Sequence, residues 1–461
     1  MLQTELDHLY TDSPEHAIPV EIIESLEDAD LSLEQQQQLH SLHPDSSLKA
    51  NEFIPLFDEK GILVRVLVGA NTLEPFFTLG EAYQKLPEGH YQLSADLSDQ
   101  TLFEHLLAFG LGAYQFDQYK ARKNRKVSFY LPYIIQSSVK NALSAHYLTR
   151  DLINEPANAL TPDNFSTQIR AELAGLPVEI KEIAGTDLLK QNFPLIYTVG
   201  AASRYQPRLI EITAGDATFP KLTLVGKGVT FDSGGLDIKP SNAMRYMQKD
   251  MGGAAHMLAL GKWILQEKWP ISLRILLPIV ENSISERSMR PGDIVKSRSG
   301  ISVEIDNTDA EGRLILADTL TYALEQSTDL LLDFATLTGA ARVALGPEIP
   351  ALFSNNEEFA NLMIQSGNNT CDTVWRLPLH QPYQDWIESD QADISNSGSV
   401  PYAGAITAAL FLARFAKLQV PYAHIDVMAW NIRHRPGRPK GGEAMGLRAA
   451  FLALKAYFKL P

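Results

Sequence analysis

Three segments gather charged side chains where a plain hydrophobic core has no use for them. VGKGVTFDSGGLDIK (225–239) follows an apolar run and carries Lys227, Asp232 and Lys239 among glycines. MQKDMGGAA (247–255) sets Asp250 at the head of a helical pattern, and NTDAEGRL (307–314) puts Asp309, Glu311 and Arg313 just ahead of a helix predicted from Leu316. The glycines permit tight turns and close backbone approach. In extended backbone Asp309 and Glu311, two apart, point to one side, which suits two carboxylates converging on a cation. Hard divalent cations take oxygen ligands, and zinc also accepts carboxylate. Crowded without cations, Asp232, Asp250, Asp309 and Glu311 would raise one another's pKa values at a cost in stability. Two divalent ions would satisfy them.

Each piece alone has a plainer reading. Asp250 before the glycines could be an N-cap, and Asp309 and Glu311 could be first-turn acids favoured by the helix dipole. The GKG at 226–228 invites a phosphate-loop reading, but a weak one, because GxxxxGK[ST] is not matched and Val229 and Thr230 follow. FDSGG around Ser233 lacks the GxSxG frame of a nucleophile elbow. There is no HExxH, and with no cysteine cluster there is no structural zinc finger.

In combination the segments resemble the leucyl aminopeptidase family, the M17 metallopeptidases. NTDAEGRL matches the family signature, and VGKGVTFDSGG with the later Ile238-Lys239 and DMGGAA matches its other metal segment. RDLINEPAN (150–158), PRLIEI (207–212), RPGDIV (290–295), ATLTGA (335–340) and GAITAALFL (404–412) extend the likeness over about 145–450. The resemblance implies a metal-dependent aminopeptidase with two divalent ions per subunit, zinc, manganese or magnesium. By motif position, Asp232 and Glu311 bridge the metals. Asp309, with its main-chain carbonyl, ligates one, and Lys227 and Asp250 ligate the other. A lysine ligand must be the neutral amine, its pKa depressed by metal charge and burial. Lys239 is then the electrophile beside the scissile carbonyl, and Arg313 anchors bicarbonate, the general base, through its planar fork. Met247 and the turn of Thr336, Leu337, Thr338 and Gly339 line the pocket for the first, leucine-like side chain, and the Leu337 carbonyl receives the substrate amine. The resemblance also implies a homohexamer, a dimer of trimers, and a role in peptide turnover.

Two departures stand out. GLDIKPSNAM (235–244) brings an extra acid, Asp237, near the site; an exposed loop carboxylate is the plain expectation. HRPGRPKGGEAMG (434–446) lies in a basic stretch with Arg433, His434, Arg435, Arg438 and Lys440, expected as a surface loop.

The elements that must position these residues follow an α/β pattern. Strands are expected at 61–70, 126–135, 208–213, 222–226, 273–280, 330–335 and 424–428. Helices are expected near 101–112, 136–153, 254–267, 316–326 and 405–416. Near-continuous apolar strands alternating with helices predict a mostly parallel sheet covered on both faces, with ligands beyond the strands' carboxyl ends. The expected organisation is a smaller N-terminal α/β domain over 1–135, a helical linker over 136–158 and a larger α/β/α catalytic domain over 159–461.

Composition bounds the rest. The 461 residues include 40 Lys plus Arg against 55 Asp plus Glu, a formal net charge of −15. Fourteen acidic residues against two lysines fall within 1–60, a solvated acidic face. Such a balance argues against nucleic-acid binding, including the DNA-binding accessory role of some bacterial relatives. A catalytically dead homologue is not expected, because all seven motif residues are present. Cys371, the one cysteine, fits a reducing compartment and reads as an incidental thiol. No signal peptide is visible, and the longest apolar stretch, 403–413, is shorter than the ~20 residues that span a bilayer. The expectation is a cytoplasmic enzyme acting on peptides, with no membrane partner.

Overall fold

A computed structural model describes residues 6–42, 48–93, 97–122, 124–417 and 419–460. Parts of the acidic N-terminal segment, 1–5 and 43–47, lie outside the described residues. The chain divides into two units, Met1–Tyr147 with Ile432–Lys440, and Leu148–Asn431 with Gly441–Pro461. The division falls inside one continuous helix, Tyr133–Asn154.

The first unit is built on a six-stranded sheet, ordered Tyr10–Thr11, Val127–Tyr130, Gly89–Leu93, Ile18–Ile23, Leu63–Gly69, Phe53–Phe57. Its pairings are parallel except for the final hairpin. The helix Asp99–Ala113 starts where Ser98 caps it by accepting from the Thr101 N–H. The strand expected over 126–135 stops at Tyr130, and helix begins at Tyr133. Pro132 accounts for the break: it cannot donate to a sheet ladder, and it favours the entry to a helix. The basic stretch near the C-terminus corrects a second expectation. Arg438 is buried, its guanidinium 3.9 Å from the Phe77 ring and paired with Glu74. The Gly437 N–H donates to the Gly80 carbonyl at 2.9 Å, so Gly437 and Arg438 are packed into the first unit, while Arg433, His434 and Lys440 are exposed.

The second unit carries a nine-stranded sheet. Its order is Trp375–Arg376, Ala351–Ser354, Tyr422–Asp426, Leu330–Ala335, Lys221–Gly226, Ser272–Asn282, Arg208–Ala214, Val178–Ala184, with Gly228–Asp232 also paired to Ser272–Asn282. Five of its eight pairings are parallel and three antiparallel. The central strands are apolar and buried along nearly their whole length, as a sheet covered on both faces requires. Helices Gly252–Gln266 and Glu311–Ala323 pack on the strands Lys221–Gly226 and Ser272–Asn282. The first approaches so closely that a Cβ at Gly253 would lie 2.0 Å from the Phe334 carbonyl oxygen. The second starts at Glu311 rather than Leu316, which places Glu311 in its first turn and Asp309 in the preceding loop. No helix among the described residues is long and apolar enough to cross a membrane.

Candidate active site

The carboxyl ends of the parallel strands supply the site. Lys227 directly follows the strand Lys221–Gly226, Asp232 closes Gly228–Asp232, and Thr336 follows Leu330–Ala335. Asp250 lies on the 3-10 turn Met247–Met251, leading into the helix Gly252–Gln266. One cavity of about 250 Å³ is lined by all twelve residues that the motifs and the resemblance place at the site: Lys227, Asp232, Lys239, Met247, Asp250, Asp309, Glu311, Arg313, Thr336, Leu337, Thr338 and Gly339.

Asp232, Asp309 and Glu311 each offer a carboxylate oxygen, and the three atoms lie within 4.8 Å of one another. The two lysines thread between the acids. Lys227 Nζ pairs with Asp250, lies 3.2 Å from Glu311 Oε1 and donates to the Thr336 carbonyl at 3.0 Å. Lys239 Nζ lies 2.8 Å from Asp232 Oδ2 and also pairs with Asp309. Two ammonium groups against four carboxylates leave the cluster with an excess of negative charge. Glu311 Oε2 is buried and has no hydrogen-bond partner. A buried, unpartnered carboxylate oxygen is costly, and a cation is the natural satisfier. The donor set of carboxylates and one amine therefore fits divalent cations.

The electrostatics reflect the same crowding. Burial, then the Asp232 charge, pushes the Glu311 carboxyl well above its ordinary range and Asp309 up to about 6. Burial opposes the charge on Asp250, yet Lys227 and then Lys249 outweigh it and hold this carboxyl low. Burial also opposes the charge on Lys227, but Asp250, Glu311 and Asp232 raise it above the usual lysine value. Arg313 is buried, its Nε lacks a hydrogen-bond partner, and burial draws its guanidinium down to about 10. A planar oxyanion would satisfy that open donor.

Several supporting residues carry no sequence motif. Asn282 Nδ2 donates to Asp232 Oδ1 at 2.8 Å and lies 3.1 Å from the Thr308 carbonyl. Asn396 clasps the 307–310 loop, accepting from the Asp306 N–H at 2.9 Å and donating to the Asn307 carbonyl at 2.7 Å. Asp426, at the end of Tyr422–Asp426, accepts from the Leu337 N–H at 3.0 Å and the Thr338 hydroxyl at 2.6 Å, fixing the turn beside the cavity. Asp237 is exposed, as expected of a loop acid, but it has a definite role. Its carboxylate accepts from the Thr308 N–H at 2.8 Å and ties two site loops together. Lys249 and Arg342 line the cavity as well. Burial draws Lys249 down to about 8, partly offset by Asp250.

Strand-end acids gathered around a niche suited to cations, in a mostly parallel sheet, point to an α/β metallohydrolase. The chain belongs to the cytosol aminopeptidase family: its catalytic domain matches residues 147–451, and the M17 aminopeptidase N-terminal domain matches 35–132. A probable cytosol aminopeptidase of Rickettsia canadensis is 36% identical over 374 residues, 77% of this chain and 75% of that protein. A cytosol aminopeptidase crystal structure from Coxiella burnetii superposes with a TM-score of 0.94 at 43% identity, covering 98% of this chain and 100% of that one. The bottromycin maturation enzyme BotP, in complex with Mn, gives a TM-score of 0.87 at 29% identity over 96% of this chain and 99% of BotP. The protein is thus a metal-dependent aminopeptidase, a hydrolase of peptides.

Proposed function

We propose that the enzyme releases N-terminal residues, of leucine-like or broad specificity, from peptides, using two divalent cations and bicarbonate. The observation that supports this best is the convergence of Asp232, Asp309 and Glu311 oxygens within 4.8 Å. Lys227, Asp232, Asp250, Asp309 and Glu311 would hold the cations; zinc, manganese and magnesium all suit these donors, and BotP is described in complex with Mn. When bound, the cations would supply a water of lowered pKa and a polarised carbonyl, and bicarbonate on Arg313 a proton acceptor.

The protein's own residues do the remaining work. Lys239, between Asp232 and Asp309, presents an ammonium where negative charge develops on the scissile carbonyl oxygen, and stabilises it there. The Leu337 carbonyl accepts from the substrate's α-amino group, which favours a free N-terminus over an internal peptide bond. Met247, Thr336 and Gly339 shape the wall against which the first side chain packs. The assembly we propose is a homohexamer, and the location cytoplasmic, as the names of the relatives suggest.

Metal-stripped protein should be inactive on leucine anilide, and added Mn²⁺ or Zn²⁺ should restore hydrolysis. Failure to cleave any aminoacyl anilide after metal loading would refute the proposal. Light scattering tests the hexamer; a monomer contradicts it.

A further inference from the structure

One wall of the cavity carries positive charge that the proposed chemistry does not use. Lys249, two residues after Met247 on the same 3-10 turn, is 1% exposed and lines the cavity. No hydrogen bond or ion pair engages its Nζ among the described residues. Its electrostatic neighbours are Asp250, Arg342, Lys227 and Asp426. Asp250 is already committed to Lys227 and to the Thr336 hydroxyl. Asp426 is committed to the Leu337–Thr338 turn.

Arg342 belongs to the same wall. It lies one helical turn after Gly339 on Gly339–Leu345, and a Cβ placed on Gly339 would sit 3.4 Å from its NH2. Among the described residues its side chain makes one contact of hydrogen-bond type, Nη1 to the Met428 sulfur at 3.3 Å, a weak acceptor. Met247 and the Leu337–Gly339 turn, the residues proposed to receive the first side chain, therefore share their wall with an ammonium and a guanidinium that, among the described residues, have no carboxylate of their own.

A leucine side chain packed there would leave both donors desolvated and unpaired. A carboxylate would pair them, and sites built to engage a polar group reject analogues that lack it far more strongly than apolar pockets discriminate by size. We infer that Lys249 and Arg342 form a carboxylate-recognising end to the pocket for the first side chain, so that peptides beginning with glutamate or aspartate are the preferred substrates. This rests on the aminopeptidase reading and narrows it.

The test compares kcat/KM for glutamyl and leucyl p-nitroanilides on the metal-loaded full-length enzyme. In the glutamyl anilide the side chain is the sole carboxylate, so binding of a peptide's C-terminus cannot mimic the effect. The wild type should favour glutamyl. The ratio should fall about tenfold in Lys249→Met or Arg342→Gln, and the ratio taken within each variant cancels partial loss of folded enzyme. A wild-type ratio below one, or a fall of less than threefold in both variants, overturns the inference. If no anilide of any residue is cleaved, the aminopeptidase reading itself fails. Calorimetric binding of free L-glutamate against L-norleucine still decides the pocket in that case: tighter glutamate binding upholds the inference, and equal or weaker binding overturns it.

Discussion

Lys227 lies across Gly312: a Cβ added at Gly312 would sit 2.1 Å from Lys227 Cε and 3.1 Å from its Nζ. Any side chain at this second residue of the helix Glu311–Ala323 would force the lysine to shift from the position in which it meets Asp250 and Glu311. We predict that Gly312→Ala displaces the lysine and lowers kcat/KM by roughly 100-fold, the scale set by misplacing an active-site group by about an ångström. Steady-state kinetics with leucyl anilide checks this, alongside a melting curve to show the fold retained.

Asn282 holds Asp232 from behind. Its amide donates to Oδ1 at 2.8 Å, leaving Oδ2 facing Lys239. Partners that orient a ligating carboxylate typically contribute ~10–100-fold in metal affinity. Asn282→Ala should weaken Mn²⁺ binding by that factor, read by titration against a metallochromic indicator. An affinity equal to wild type would show that Asp232 keeps its orientation without the amide.

How far the site could be read from the sequence depends on distance along the chain. The charged residues of the three motifs are distinctive in type and spacing, so their convergence is legible in the sequence. Asn282, Asn396 and Asp426 are not. Each is an ordinary polar residue at a strand end or in a loop, and acts on a partner 50 or more positions away, a relation that only the sheet order creates. Element types in the second unit were similarly legible, because apolar strands such as Leu330–Ala335 are buried throughout. The start of Glu311–Ala323 was not, since its first turn is made of the charged signature itself and carries no apolar period.

Arg150 and Glu443 form a buried pair within the second unit. Arg150 NH2 lies 3.0 Å from Glu443 Oε1, with side chains 0% and 5% exposed. Glu443 also accepts from Asn431 Nδ2 at 2.6 Å and from the Ala444 N–H at 2.8 Å. Removing one member of such a pair strands the other charge, at a cost of about 3–5 kcal/mol. Arg150→Met should destabilise the protein by that amount in urea unfolding, and Arg150→Met combined with Glu443→Leu should recover part of the loss. A single variant as stable as wild type would show that the remaining carboxylate finds other partners.

His424 gives stability a dependence on pH. Its Nδ1 lies 2.6 Å from Asp333 Oδ1, both side chains are fully buried, and the Tyr422 hydroxyl donates to Asp333 Oδ2 at 2.6 Å. Burial disfavours the charged ring, but the Asp333 charge and hydrogen bond, helped by Asp426, raise its pKa above the ordinary 6.5. The folded protein therefore holds this proton after the unfolded chain has released it. The associated stabilisation is complete below pH ~6.5 and declines as pH rises toward and through the elevated folded value. We expect the urea midpoint of wild type to fall between pH 6.5 and 9 more steeply than that of His424→Gln, in which no proton is held. Parallel slopes for the two proteins would mean that the ring is neutral throughout, with Asp333 satisfied by a neutral imidazole N–H.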